Sequence, residues 1–168
     1  MTAVARAVEA LTRLCGWLAV LCLIAACVVV CQMVFSRYVL EASTIWQTEF
    51  VLYSVVAATL LGSPFVLKTG GHVGVELLSQ VLSPGVRRWQ RFLSSLIGLM
   101  FVGVLAWSGA RYFLEAWEGG WVTESVWAPP LWIVLLPMPV GFGVLGLQYI
   151  VEMARTFQSD KVVSEATE

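Results

Sequence analysis

Four long stretches of the chain contain no Asp, Glu, Lys or Arg: Leu14–Ser36, Phe50–Leu67, Phe92–Ala110 and Ser125–Val151, of 23, 18, 19 and 27 residues. About 20 apolar residues in a helix cross a hydrocarbon layer of roughly 30 Å. Backbone amides cannot stay unpaired in lipid, so segments of this kind cross as helices. The chain therefore reads as an all-α membrane protein with four spans, and little sequence remains for a soluble domain. Only 12% of its 168 residues are charged, against about a quarter in soluble domains.

The placement of charge sets an orientation. Arg6 and Arg13 precede span one, Lys68, Arg87, Arg88 and Arg91 lie between spans two and three, and Arg155 and Lys161 follow span four. Arg37 and Arg111 fall on the other side. With both termini in the cytoplasm, eight basic residues face inward and two outward, as the positive-inside rule favours. Glu115, Glu118 and Glu124 make the connection after span three acidic, which agrees. The first span has the two arginines of a signal peptide and a Leu23–Cys27 box of lipoprotein type. It is longer than an h-region of about 7–15 residues and continues apolar to Phe35, so it is read as an uncleaved span.

The expected organisation is a single membrane domain over residues 1–168, with spans near 14–37, 44–68, 87–114 and 129–156. Met1–Thr12 reads as a short amphipathic lead-in. Thr44 is placed as an N-cap with Gln47 completing a capping box. Between spans two and three, residues 72–83 carry an apolar stripe at helical period. They are too few to span, and read as a short interfacial helix. Pro137 and Pro139 predict a bend in span four, and Gly98, Gly103 and Gly109 in span three would let a neighbouring helix approach.

The inventory of reactive groups is sparse. All four cysteines (Cys15, Cys22, Cys27, Cys31) lie in span one, and there is one histidine, His72. A thiol oxidase needs paired cysteines in an outer loop, and a bis-histidine haem needs two ligands on facing helices. No enzyme activity, cofactor or metal is expected, nor any nucleic-acid partner. Small secondary transporters are built around an intramembrane carboxylate. The nearest candidate is Glu49, one turn inside the outer edge of span two. The chain thus reads as a membrane protein that crosses without carrying solute. The alternative is a stand-alone homodimeric secondary transporter using Glu49.

The order of features carries a resemblance. Arg37-Tyr38, Trp46 and Glu49, Gly62, then Lys68-x-x-Gly71-His72-Val73-x-Val75-Glu76, followed by Trp107, Pro129–Trp132 and Pro137, resemble the small membrane subunit of TRAP (tripartite ATP-independent periplasmic) transporters across roughly residues 13–157. The sequence departs from the family pattern at Thr48, where a glutamate is usual, at Ser63-Pro64, at Lys68 for arginine and at Glu76 for aspartate.

The resemblance implies a small scaffold subunit in the bacterial inner membrane that packs on the static part of a large, elevator-type subunit. The large subunit would bind sodium and move an organic acid delivered by a periplasmic binding protein. It implies large-subunit interface candidates at Arg37, Trp46, Glu49 and Tyr53. Lys68, His72, Arg87 and Arg88 would anchor the inner side to phospholipid or to the partner, and Glu41, Glu118 and Glu124 would help receive the binding protein. A carboxylate at the depth of Glu49 needs a donor, expected across a helix interface.

Overall fold

A computed structural model describes residues 3–69 and 84–165 of the chain. Its helices are α1 (Ala3–Tyr38), α2 (Trp46–Lys68), α3 (Pro84–Glu118), α4 (Leu131–Leu135) and α5 (Pro137–Glu165). Four helical segments are long and apolar enough to span a membrane: Ala5–Tyr38, Trp46–Lys68, Phe92–Glu118 and Leu131–Ala154. The interfacial helix expected near residues 72–83, with His72, lies outside the described residues.

The lead-in expected over Met1–Thr12 is not a separate element. α1 has 36 residues, about 54 Å at 1.5 Å per residue, longer than a hydrocarbon layer is thick, and its first turns form one rod with the span. Val8, Thr12, Cys15 and Ala19 are all buried along one stripe, which keeps the lead-in packed rather than free to turn onto the membrane surface.

The capping box is also absent. α2 begins at Trp46, and Ile45 takes the cap position without a side-chain bond. Thr44 instead accepts a hydrogen bond from Arg37 Nη2 at 3.1 Å. The connection is wound tighter than a simple cap. The Ala42 amide bonds back to the Ser36 carbonyl at 3.0 Å, and Glu41 takes a left-handed φ of 49°.

α1, α2 and α5 meet around a core of small side chains: Cys15 and Ala19 from α1, Ala58 and Leu61 from α2, and Val144 from α5. Membrane helices gain little from burying apolar groups against one another rather than against lipid, so close packing through small residues holds them together. Pro64 lies inside α2 and is buried. It cannot donate to the Leu60 carbonyl one turn earlier. Ser63 Oγ donates to that oxygen at 2.8 Å and fills the vacancy.

The fourth span is divided. Leu136 closes α4 with a bond to the Trp132 carbonyl at 3.0 Å. Pro137 and Pro139 then have no amides for the carbonyls of Ile133 and Leu135, so the helix breaks and restarts as α5. α3 packs on α5 and α4. Gly98 meets the Tyr149 ring and Gly109 meets Met138, both on α5, whereas Gly103 has nothing within 4 Å of a notional Cβ. Two of the three glycines thus serve helix contact, and the third lies on an open face.

Candidate functional site: one end of the bundle and its latch

The α1–α2 and α3–α4 connections, at one end of the bundle, are joined through α2. Glu49, in the first turn of α2, is half-buried and accepts a hydrogen bond from Ser125 Oγ at 2.6 Å. Ser125 Oγ also lies 3.0 Å from Thr123 Oγ1 and accepts from the Ala128 amide at 3.2 Å. A serine that donates to a carboxylate while accepting a backbone N–H has its hydroxyl orientation fixed, and bonds to an ionised acceptor are short and strong. The donor for Glu49 is therefore supplied by this chain's own α3–α4 connection.

That connection is a small hairpin, not an open loop. α3 ends in a Schellman motif: Gly120 is at φ 58°, its amide bonds to the Trp117 carbonyl at 3.3 Å, and the Trp121 amide bonds to the Ala116 carbonyl at 3.1 Å. Glycine reaches this conformation without the Cβ penalty. Val122 and Pro130 then form an antiparallel bridge. Flanking it, the Leu131 amide bonds to Trp121 at 2.8 Å and the Thr123 amide bonds to Pro129 at 3.1 Å. The turn closes with the Ala128 amide on the Ser125 carbonyl at 3.1 Å, and Ala128 has φ 45°. An alanine there is strained by about 1 kcal/mol. Glu41 and Ala128 are the positive-φ non-glycine residues among those described, one in each of these two connections.

Aromatic rings bind the same region. Trp46, at the head of α2, lies 6.2 Å from Trp127 of the hairpin and 6.2 Å from Phe50, centroid to centroid. Trp117 and Trp132 meet edge-to-face at 4.7 Å. Tyr53 is half-buried and lines a crevice of about 210 Å³ with Cys22, Phe50, Ser54, Trp127 and Pro137. Glu41 and Glu124 on the two connections, and Glu118 at the end of α3, are all exposed.

The opposite end of the bundle is held differently. Lys68, the last residue of α2, lies 3.7 Å from Glu9 of α1, and Arg13 lies 3.9 Å from the same carboxylate. One turn above, Thr12 Oγ1 donates to Gln148 Oε1 at 3.2 Å between α1 and α5, with both side chains fully buried. Arg87 and Arg88 fall in the first turns of α3, and their side chains lie outside the described residues.

Of the residues singled out from sequence, the structure brings Trp46 and Glu49 together with the hairpin, and sets Arg37 on Thr44 and Lys68 on Glu9. Sequence reading missed Ser125, Thr123, Glu9, Thr12 and Gln148. Ser125 merges with an uncharged run, and nothing local signals that it turns back toward α2. Among the described residues no group of three or more His, Cys, Asp or Glu could hold a metal.

These features define a multi-pass membrane protein of four spans whose polar groups mainly tie the chain to itself. Residues 26–159 match the family described as Tripartite ATP-independent periplasmic transporters, DctQ component, and the chain belongs to that family, a transporter component. It is 26% identical over 106 residues to a C4-dicarboxylate TRAP transporter small permease protein of Rhodobacter capsulatus, covering 63% of this chain and 46% of that protein. It is 23% identical over 129 residues to an ectoine TRAP transporter small permease protein of Halomonas elongata, covering 77% and 66%. The chain thus spans about half to two thirds of the length of these relatives. No solved structure matches it.

Proposed function

We propose that this chain is the small scaffold subunit of a sodium-coupled, binding-protein-dependent transporter in the bacterial inner membrane. It packs on the static part of a large membrane subunit, holds both termini in the cytoplasm, and presents its outer face to a periplasmic binding protein. Glu41, Glu118 and Glu124 contribute to that outer face. Arg37, Trp46 and Tyr53 contribute to the contact with the large subunit, and Lys68, His72, Arg87 and Arg88 to inner anchoring.

The observation that carries this reading is the state of Glu49, the carboxylate in the first turn of α2. Glu49 is engaged by Ser125 of the same chain at 2.6 Å, as a structural group would be. A coupling carboxylate must instead exchange partners during a transport cycle. Broad apolar faces on α1 and α3 suit burial against a larger membrane partner. Trp17 on α1 and Trp107 on α3 are each 70% exposed.

The substrate belongs to the other subunits in this reading. The relatives' names point to small organic acids and zwitterions, so a panel containing a C4-dicarboxylate and ectoine is the first choice. In proteoliposomes with an inward sodium gradient, the chain alone should accumulate neither compound, and the complex with its large subunit and binding protein should accumulate its substrate. Uptake by the chain alone, abolished by Glu49→Gln, would instead establish the homodimeric transporter.

A further inference from the structure

We propose that the crevice between α1, α2 and the proline break of the fourth span is a water-binding site, and that water held there satisfies the Ile133 carbonyl and the Ser54 hydroxyl within the apolar layer. The inference concerns this chain by itself. It depends neither on the transporter reading above nor on which side of the membrane either end faces.

The fold contains two proline breaks with different surroundings. Pro64 of α2 withholds an amide from the Leu60 carbonyl, and the serine just before it, Ser63, donates to that oxygen at 2.8 Å. Pro137 withholds an amide from the Ile133 carbonyl in the same way. The residue just before it is Leu136, whose side chain has nothing to donate. The Leu136 amide itself goes to the Trp132 carbonyl at 3.0 Å. A carbonyl freed inside lipid needs a neighbouring helix, a hydroxyl or an ordered water.

Ile133 and Pro137 both line the crevice. A helical carbonyl points along the axis toward the residue four positions on, so the Ile133 oxygen lies at the wall between them. The α2 wall brings Ser54, which is buried. Thr59 and Ser63 on the same helix direct their hydroxyls to the carbonyls of Val55 and Leu60. Ser54 makes no such bond among the described residues.

The volume decides how these groups are joined. The crevice of about 210 Å³ is several times the ~30 Å³ that a water takes in the liquid, so water can stand between the two walls. Purely apolar cavities stay dry, and a bound water needs two to four polar partners. The Ser54 hydroxyl and the Ile133 carbonyl are two, and Tyr53 and Cys22, also on the lining, carry a hydroxyl and a thiol. An acyl chain would fill the same space but leave both principal groups unpaired, which an apolar interior penalises. Trp127 and Pro129 of the hairpin line the crevice as well, so it runs from the polar α3–α4 connection down to the break.

Cys22 reports on the occupant. It is half-buried at the crevice, whereas Cys27 is exposed on α1 within the same span. The test uses the full chain in lipid nanodiscs and a small methanethiosulfonate bearing a quaternary ammonium, read by mass spectrometry of peptides. The reagent is charged and reacts with the thiolate, so it modifies a cysteine only where water reaches. Cys22 should react at least about tenfold faster than Cys27, because lipid beside Cys27 excludes a charge. That order is the reverse of their exposure in the structure. Ser54→Ala removes one partner of the water. Leu136→Ser places before Pro137 the hydroxyl that Ser63 supplies before Pro64, and so takes the Ile133 oxygen from it. Each variant should slow Cys22 modification about fivefold, as the loss of one hydrogen bond implies, with the rate toward N-ethylmaleimide unchanged.

Cys22 modification no faster than that of Cys27 means that an acyl chain fills the crevice, and it overturns the proposal. Fast modification that neither variant slows overturns it too, because these groups would then hold no water. If one variant lowers the thermal midpoint sharply, the other carries the test, and the comparison of Cys22 with Cys27 in the unsubstituted chain stands without either.

Discussion

Gly141 of α5 lies directly against the carbonyl of Leu60 in α2: a Cβ at position 141 would fall 2.5 Å from that oxygen. The carbonyl is the one released by Pro64, and Ser63 occupies it from within α2. A proline that frees an oxygen, a serine that satisfies it and a glycine that lets a second backbone pass are thus one device for bringing two membrane helices together.

Gly141→Ala should consequently destabilise the bundle, since backbone at Leu60 cannot yield as a flexible side chain would. Overpacking of this kind costs about 1–3 kcal/mol. Gly103→Ala is the control, because no atom lies within 4 Å of its notional Cβ; it should be neutral or slightly stabilising, through the better helix propensity of alanine. Thermal unfolding in detergent compares the two, and equal midpoints would show that α5 does not cross α2 at Gly141.

A second prediction concerns the buried pair Thr12 and Gln148, 136 positions apart and 3.2 Å between oxygens. The two side chains are not equivalent. If Gln148 is replaced by leucine, the Thr12 hydroxyl can turn back to the Val8 carbonyl in its own helix. If Thr12 is replaced by valine, the Gln148 amide loses its bond while fully buried, and its Nε2 has no partner among the described residues. Thr12→Val should therefore cost more than Gln148→Leu, by about 1 kcal/mol. The double variant should be less destabilised than the sum of the two, and strict additivity in the cycle would show the pair to be uncoupled.

Third, the two ion pairs on Glu9 should differ in weight. Side-chain exposure is 20% for Lys68, 13% for Glu9 and 64% for Arg13. Exposed pairs contribute little, and i,i+4 pairs on a helix surface only about 0.3–0.5 kcal/mol. Lys68 also ties α2 to α1, whereas Arg13 stays on the helix of its partner. Lys68→Met should lower stability measurably and Arg13→Met should barely change it. The opposite ranking in unfolding midpoints would show that the α1–α2 contact does not depend on Lys68.

The four helices were legible from sequence because uncharged length has one physical solution in lipid. A bend from Pro137 and Pro139 was legible too, since a missing proline amide is a local fact, but not that it divides the span at Leu136. What the sequence concealed was pairing across the chain. Ser125 sits in an apolar run and Glu49 lies 76 positions away, so neither has a local signature of the other. The capping box failed for a related reason. Thr44 and Gln47 have the right spacing, but Arg37, held close by the tight turn through Glu41, takes Thr44, and the helix starts one residue later than the box requires. Gly103 shows the same limit: glycine spacing in a membrane helix reveals what could approach, not which helix does.

Finally, the four cysteines of α1 should react as three classes. They lie within 17 positions of one another on a single helix, so their differences report the packing of α1 rather than separate environments. Cys27 and Cys31 are exposed one turn apart, Cys22 is half-buried at the crevice, and Cys15 is 2% exposed at the core of small residues. For the isolated chain in detergent, a small apolar maleimide should modify Cys27 and Cys31 first, Cys22 more slowly, and Cys15 only after unfolding. Mass spectrometry of peptides from a time course reads the order directly. Early modification of Cys15 would mean that α1 does not pack on α2 and α5 through the face described, since no local fluctuation of one side chain uncovers a thiol held between Ala58, Leu61 and Val144.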